Sequence, residues 1–129
     1  MSGGFRTPLS RVRGRGAAGG GTEHFISQRL TAVALLGLAL WFAIAAALTI
    51  DSFEQAVAFV REPLNAVGVL LLLVVAARHM MIGMAVVIED YIAKPGIRTV
   101  LLIANAFVCI AFAALGAWSV AVINFGWGY

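Results

Sequence analysis

The sequence predicts an all-α membrane protein of three transmembrane helices, with a flexible basic N-terminal tail and a short interfacial helix between spans one and two. Three observations predict it. Hydrophobic residues make up 62% of the 129 and charged residues only 12%, whereas soluble domains are about half apolar and about a quarter charged. The mean hydropathy is accordingly high, at +0.98. Three uninterrupted apolar stretches, at 30–50, 64–88 and 100–123, each reach the roughly 20 residues that cross about 30 Å of hydrocarbon. The second and third are longer, so they tilt or protrude. Together the spans take up most of the chain and leave no room for a separate soluble domain.

The net charge of +3 carries topology, not nucleic-acid binding. Arg6, Arg11, Arg13, Arg15 and Arg29 precede span one, Lys94 and Arg98 lie between spans two and three, and Arg61 alone lies between spans one and two. Three crossings put the first two groups on one side, seven basic residues against one. The positive-inside rule then makes the N-terminus cytoplasmic and the C-terminus external.

Residues 1–22 form the tail and 23–129 the three-helix anchor domain. In the tail, "SGGFRTPLSRVRGRGAAGGG" has seven glycines and four arginines and lacks an apolar period, as expected of a flexible cytoplasmic segment that rests on anionic lipid or a partner. The 29-residue approach and the span of about 21 are both too long for a signal peptide, although "AIAAALT" offers small residues of the kind cleavage needs. Within span one, Trp41 reads as a packing residue.

"DSFEQAVAFVREP" joins spans one and two. Asp51 with Glu54 resembles a capping box, and Phe53, Val57 and Val60 share a helical face, which predicts a short amphipathic helix on the outer surface ended by Pro63. "EDYIAKPGIR" reads as a tight cytoplasmic turn broken at Pro95-Gly96. Trp118, Phe125, Trp127 and Tyr129 gather toward the outer end of span three, as interfacial anchors do. Cys109 is the single cysteine, so neither a disulfide nor a thiolate-based metal site can be built from this chain alone.

The residues with chemistry lie on span two, in "ARHMMIGMAVVIEDYIAKPG". His79 stands nine residues from the cytoplasmic end of the apolar run, about 14 Å deep at about 1.5 Å per residue. An ionisable side chain at that depth costs a few kcal/mol and faces a bundle interior with a partner. Gly83, Val86 and Asp90 follow at +4, +7 and +11, so Asp90 lies about 20° from His79 on a helical wheel. One stripe therefore carries a deep imidazole, a gap, and a carboxylate with Tyr91 beside it. Imidazole is a common axial ligand of haem iron, and a phenol beside a carboxylate can hydrogen-bond a quinone carbonyl and supply protons on its reduction. Against this stand two plainer readings, a helix–helix hydrogen bond for His79 and ordinary interfacial polarity for the Asp-Tyr pair.

"HMMIGMAVVIEDY" resembles the signature of the smaller membrane-anchor subunit, the D subunit, of succinate dehydrogenase (complex II). There a haem-ligating His is followed at +4 by Gly and at +11 and +12 by Asp-Tyr. "QRLTAVAL" at the start of span one, the three spans and the length fit the same family. The sister C subunit also carries "RHMM", but its ligand position falls on Leu72 here and its Asp on Gly83. The D pattern fits and the C pattern does not. The resemblance implies that His79 is an axial ligand to the iron of haem b, with the second ligand from a C-type cytochrome b anchor subunit. It implies that Tyr91 hydrogen-bonds ubiquinone, that Asp90 orients that site, and that Arg29 lies near the haem propionates. Arg78 is outside the signature; a propionate, an acidic residue of the C subunit, or snorkelling to the interface would each occupy it. His24 is given no ligand role.

A chain of this family anchors the flavoprotein and iron-sulfur subunits in a cell inner membrane. It holds no flavin or cluster motif and no catalytic residue acting alone, so it cannot oxidise succinate by itself. With two His, one of them deep, bis-His ligation allows one haem shared with a partner. The competing functions are the anchor of a quinol:fumarate reductase and a non-redox three-helix structural or transport subunit.

Overall fold

The computed structural model describes residues 18–126 and consists, over that range, of four helices without strands. We label them α1 (Ala18–Thr49), α2 (Phe53–Arg61), α3 (Pro63–Tyr91) and α4 (Pro95–Phe125). Three of them, α1, α3 and α4, are long and apolar enough to cross a membrane, and α2 is the short helix expected between spans one and two. Trp127, Tyr129 and residues 1–17 of the basic segment lie outside the described residues.

Each long helix extends past the apolar run that marks it. The α1 helix begins at Ala18, so the polar lead "GTEHFISQ" is helical. The α3 helix continues through Glu89, Asp90 and Tyr91, which leaves only residues 92–94 as the connection to α4. Apolar length records the hydrocarbon thickness, whereas the backbone ladder continues until something competes with it. Pro95 does not break the turn as the sequence suggests. It stands at the first turn of α4, where a missing N–H costs nothing and the fixed φ is already helical. Pro63 opens α3 in the same way after the one-residue junction at Glu62. At the far end of α4, Gly126 adopts φ +70° and its N–H returns to the Val122 carbonyl, the left-handed stop that glycine permits.

The cap of α2 differs by one residue from the sequence expectation. Ser52, not Asp51, is the N-cap, and its Oγ accepts from the Gln55 N–H at 3.3 Å. Gln55 Oε1 reaches back past the cap to accept from the Asp51 N–H at 2.6 Å, so Gln55, not Glu54, supplies the side chain that returns to the start of the helix. Phe59 is the residue of α2 that the other helices bury, whereas Phe53 is exposed.

The spans form a row with α3 in the middle. Both α1 and α4 pack on α3 and make no contact with each other, while α2 touches all three. Both pairings are antiparallel. Along α1, Gln28, Thr31 and Trp41 meet Gly83, His79 and Gly68 of α3; along α4, Asn105 and Gly116 meet Met81 and Leu73. Among the described residues, three of the six buried apolar ones, Ala66, Ala77 and Ile82, belong to α3.

Lipid tails are as apolar as leucine, so close packing and interhelical hydrogen bonds, not water exclusion, hold such helices. Gly68 admits the Trp41 ring: a Cβ there would lie 2.7 Å from Trp41 Cζ3. Trp41 also packs on Phe42 and on Phe59 of α2, with centroids 6.3 and 6.2 Å apart, which makes it the packing residue the sequence suggests. Gly116 does for Leu73 what Gly68 does for Trp41, with a Cβ meeting Leu73 Cδ1 at 2.8 Å. Asn105 Nδ2 donates to the Met81 carbonyl at 2.9 Å, and Asn124 Nδ2 to the Val60 carbonyl at 2.9 Å. Arg61 Nε adds a bond to the Ile123 carbonyl at 3.2 Å, so α2 is pinned to the C-terminal end of α4. Each such bond is worth about 1 kcal/mol or less in a bilayer.

Candidate functional site

The α3 stripe meets α1 at its deepest member. His79 is half-buried, and its Nδ1 lies 3.0 Å from the Thr31 hydroxyl. Thr31 Oγ1 is in turn 2.8 Å from the Ser27 carbonyl and 3.1 Å from the Gln28 carbonyl, the back-bonding that a helical threonine makes with its preceding turn. Among the described residues, no hydrogen bond reaches the other ring nitrogen, Nε2. One turn on, Gly83 leaves room beside Gln28, whose Nε2 would sit 3.4 Å from a Cβ. Gln28 Oε1 is buried and lacks a hydrogen-bond partner.

Gln28 also lines a cavity of about 560 Å³ between α1 and α3, together with His24, Phe25, Ile82, Val86 and Glu89 among others. Asp90, about 20° from His79 around the helix and about three turns on, is exposed. Tyr91 diverges from the stripe. Twelve residues past His79 it has rotated by about 120°, and it lines a separate groove of about 560 Å³ between α3 and α4 with Met80, Met84, Leu101, Ala104 and Val108. The phenol is 83% exposed there. The structure thus sets the imidazole on the α1 side of α3 and the phenol on the α4 side, with Asp90 nearer the imidazole's line.

The two arginines take separate positions. Arg29 is exposed on α1 with its guanidinium 5.2 Å from the centroid of the Phe25 ring. It is two residues from Thr31, hence about 200° around the helix from it, and points away from His79. Arg78 is exposed near the midpoint of α3, beside a shallow apolar cleft formed with Met81, Cys109, Ile110 and Ala113. No ion pair engages either arginine among the described residues. No group of three or more His, Cys, Asp or Glu is placed to hold a metal ion among them.

Thr31, Gln28 and Asn105 were not singled out by sequence reasoning. The available signal was polarity alone, since hydroxyl and amide side chains inside an apolar span bond across helices or along their own.

Residues 4–117 match the family model described as succinate dehydrogenase/fumarate reductase transmembrane subunit. This chain belongs to that family. The matched range contains all of α3, including His79, Asp90 and Tyr91. Among similar proteins, the succinate dehydrogenase hydrophobic membrane anchor subunit of Rickettsia bellii is 32% identical over 78% of this chain and 81% of its own. The subunit of the same name from Paracoccus denitrificans is 31% identical over 95% of both chains. That of Rickettsia conorii is 31% identical over 82% of this chain and 86% of its own. No solved structure matches. Three apolar helices in a succinate dehydrogenase membrane-anchor family make this a multi-pass membrane protein.

Proposed function

We propose that this chain is the hydrophobic anchor of a succinate:quinone oxidoreductase and that His79 is its axial ligand to the iron of one haem b. One observation carries the reading: a deep imidazole held through Nδ1 by Thr31, with Nε2 unbonded among the described residues. The donor set suits a shared haem, since one imidazole from this chain leaves the second axial position to a partner, here a C-type cytochrome b anchor subunit. Gly83, one turn from His79 and without a Cβ, allows a flat macrocycle to approach α3. The haem supplies a one-electron store within the membrane. Arg29 and Arg78, both exposed cations, are the candidates near its propionates.

In the same proposal Tyr91 and Asp90 form part of the ubiquinone site at the cytoplasmic end of α3. The Tyr91 hydroxyl donates to a quinone carbonyl, the apolar groove around it takes up the ring or tail, and Asp90 supports the polar end. Electrons arrive from an iron-sulfur subunit that this chain, with the C-type subunit, holds at the membrane together with the flavoprotein subunit. Because the family description also covers fumarate reductases, the same parts would serve a quinol:fumarate reductase running in reverse. A purified complex that contains flavoprotein and iron-sulfur chains and has a b-type spectrum supports the reading; a b-haem-free complex of other chains overturns it.

The proposed setting is a bacterial inner membrane with the N-terminus cytoplasmic and the C-terminus periplasmic, supported by seven basic residues against one across the two sides. A reporter that is active only outside the cytoplasm, fused after Tyr129, is expected to be active. Activity from a cytoplasm-only reporter at the same point would reverse the orientation.

A further inference from the structure

We infer that Thr31 is a positioning residue that holds His79 in the tautomer able to bind iron through Nε2. This inference rests on the haem-ligand reading of His79. Thr31 has one hydroxyl proton and three neighbours for its oxygen: the Ser27 carbonyl at 2.8 Å, the Gln28 carbonyl at 3.1 Å and His79 Nδ1 at 3.0 Å. Carbonyl oxygens only accept, so the hydroxyl proton is directed back along α1, toward Ser27 at the shortest of the three distances. The oxygen then presents a lone pair to Nδ1, and Nδ1 must be the donor. A neutral imidazole has one ring proton, so placing it on Nδ1 leaves the lone pair on Nε2.

The opposite tautomer fares worse at the same positions. It would put an N–H at Nε2, for which no acceptor exists among the described residues, and an unmade donor bond in an apolar setting costs about 1–3 kcal/mol. The hydroxyl would also have to turn from the carbonyl toward Nδ1. The helical back-bond of Thr31 thus favours one tautomer of a residue 48 positions away. An N–H at Nδ1 that donates to oxygen also fixes the ring plane and makes Nε2 a better electron donor, the usual service of a partner to a metal-bound histidine.

The test uses the full complex with Thr31→Val, which keeps the branched shape and deletes the hydroxyl, and Thr31→Ser, which keeps the hydroxyl and deletes the methyl. Two quantities are read on purified complex: the rate of haem loss to an excess of a haem-scavenging globin, and the haem reduction potential. In Thr31→Val, haem is expected to be held about 10- to 100-fold more weakly, with the potential moved to more positive values because Nε2 donates less. Thr31→Ser is expected to restore both toward wild type. Haem retention and potential unchanged in Thr31→Val overturn the inference, as does a Ser variant that behaves like the Val variant, which would assign the effect to packing. If Thr31→Val fails to assemble, Thr31→Ala is read by the same criteria against Thr31→Ser. His79→Ala, run alongside, separates the two levels. A wild-type haem spectrum in His79→Ala removes the ligand reading itself; an altered spectrum there with an unaffected Thr31→Val removes only the role of Thr31.

Discussion

Replacing His79 with Ala is expected to cost the complex most of its haem b. The substitution deletes the only deep imidazole of the chain, the one that faces the Thr31 hydroxyl at 3.0 Å. Removing a hydrogen-bond partner of a metal-bound histidine lowers metal affinity by about 10- to 100-fold, and removing the ligand itself must cost more. Residual haem would be held through one axial bond, with a changed optical spectrum. Because a haem ligated from two chains also joins them, recovery of the assembled complex should fall in parallel. The measurement is haem per complex and the reduced-minus-oxidised spectrum of purified wild type and variant. Wild-type content with an unaltered spectrum would return His79 to a plain helix–helix hydrogen bond with Thr31.

Tyr91→Phe is expected to leave haem in place and to lower quinone reduction. The ring and its apolar groove with Met80, Met84 and Leu101 are retained, and His79 is contacted from α1, not from this groove. Loss of one hydrogen bond to a neutral carbonyl is worth about 1 kcal/mol. If the phenol also acts on the proton delivered to the reduced quinone, turnover falls further, by about 10²-fold or more. Succinate oxidation by an artificial acceptor that draws electrons upstream should be nearly unchanged, since flavin and clusters are carried by other chains. The ratio of quinone-reductase to artificial-acceptor activity, at matched haem content, isolates the effect. An unchanged ratio would place Tyr91 outside the quinone site and leave the Asp-Tyr pair as interfacial polarity.

These two variants also test a division that the helix geometry creates. Asp90 and Tyr91 are adjacent in sequence, yet about 100° apart around α3. His79 meets Thr31 of α1 and the exposed Asp90 lies near the same line of the helix, whereas Tyr91 opens into the α3–α4 groove. A single helix can therefore present two chemistries to two neighbours without either disturbing the other. The middle place of α3 in the row makes both faces usable.

The number and identity of the spans were legible in the sequence, because hydrocarbon thickness sets a length that an apolar run either meets or does not. The α2 helix was legible for a similar reason, its amphipathic period being a local property. The site stripe was partly legible: His79, Gly83 and Asp90 share a face at any register of packing, since the 3.6-residue period of their own helix settles it. The details of capping were not. Asp51 and Ser52 are both good caps by residue type, and the structure uses Ser52. Likewise the reach of each helix beyond its apolar run depended on where a competing backbone conformation first became favourable, which polarity does not encode.

What only the tertiary structure decided is which residue of another helix meets each of these. The partnership of Thr31 with His79, of Trp41 with Gly68, and of Asn105 with the Met81 carbonyl depends on axial register and on the order of helices in the row. In lipid, apolar side chains gain little by meeting one another instead of solvent, so hydrophobicity marks a span without choosing its neighbour. Fit at small residues and a few polar bonds make that choice, and both require positions in space that a one-dimensional pattern leaves open.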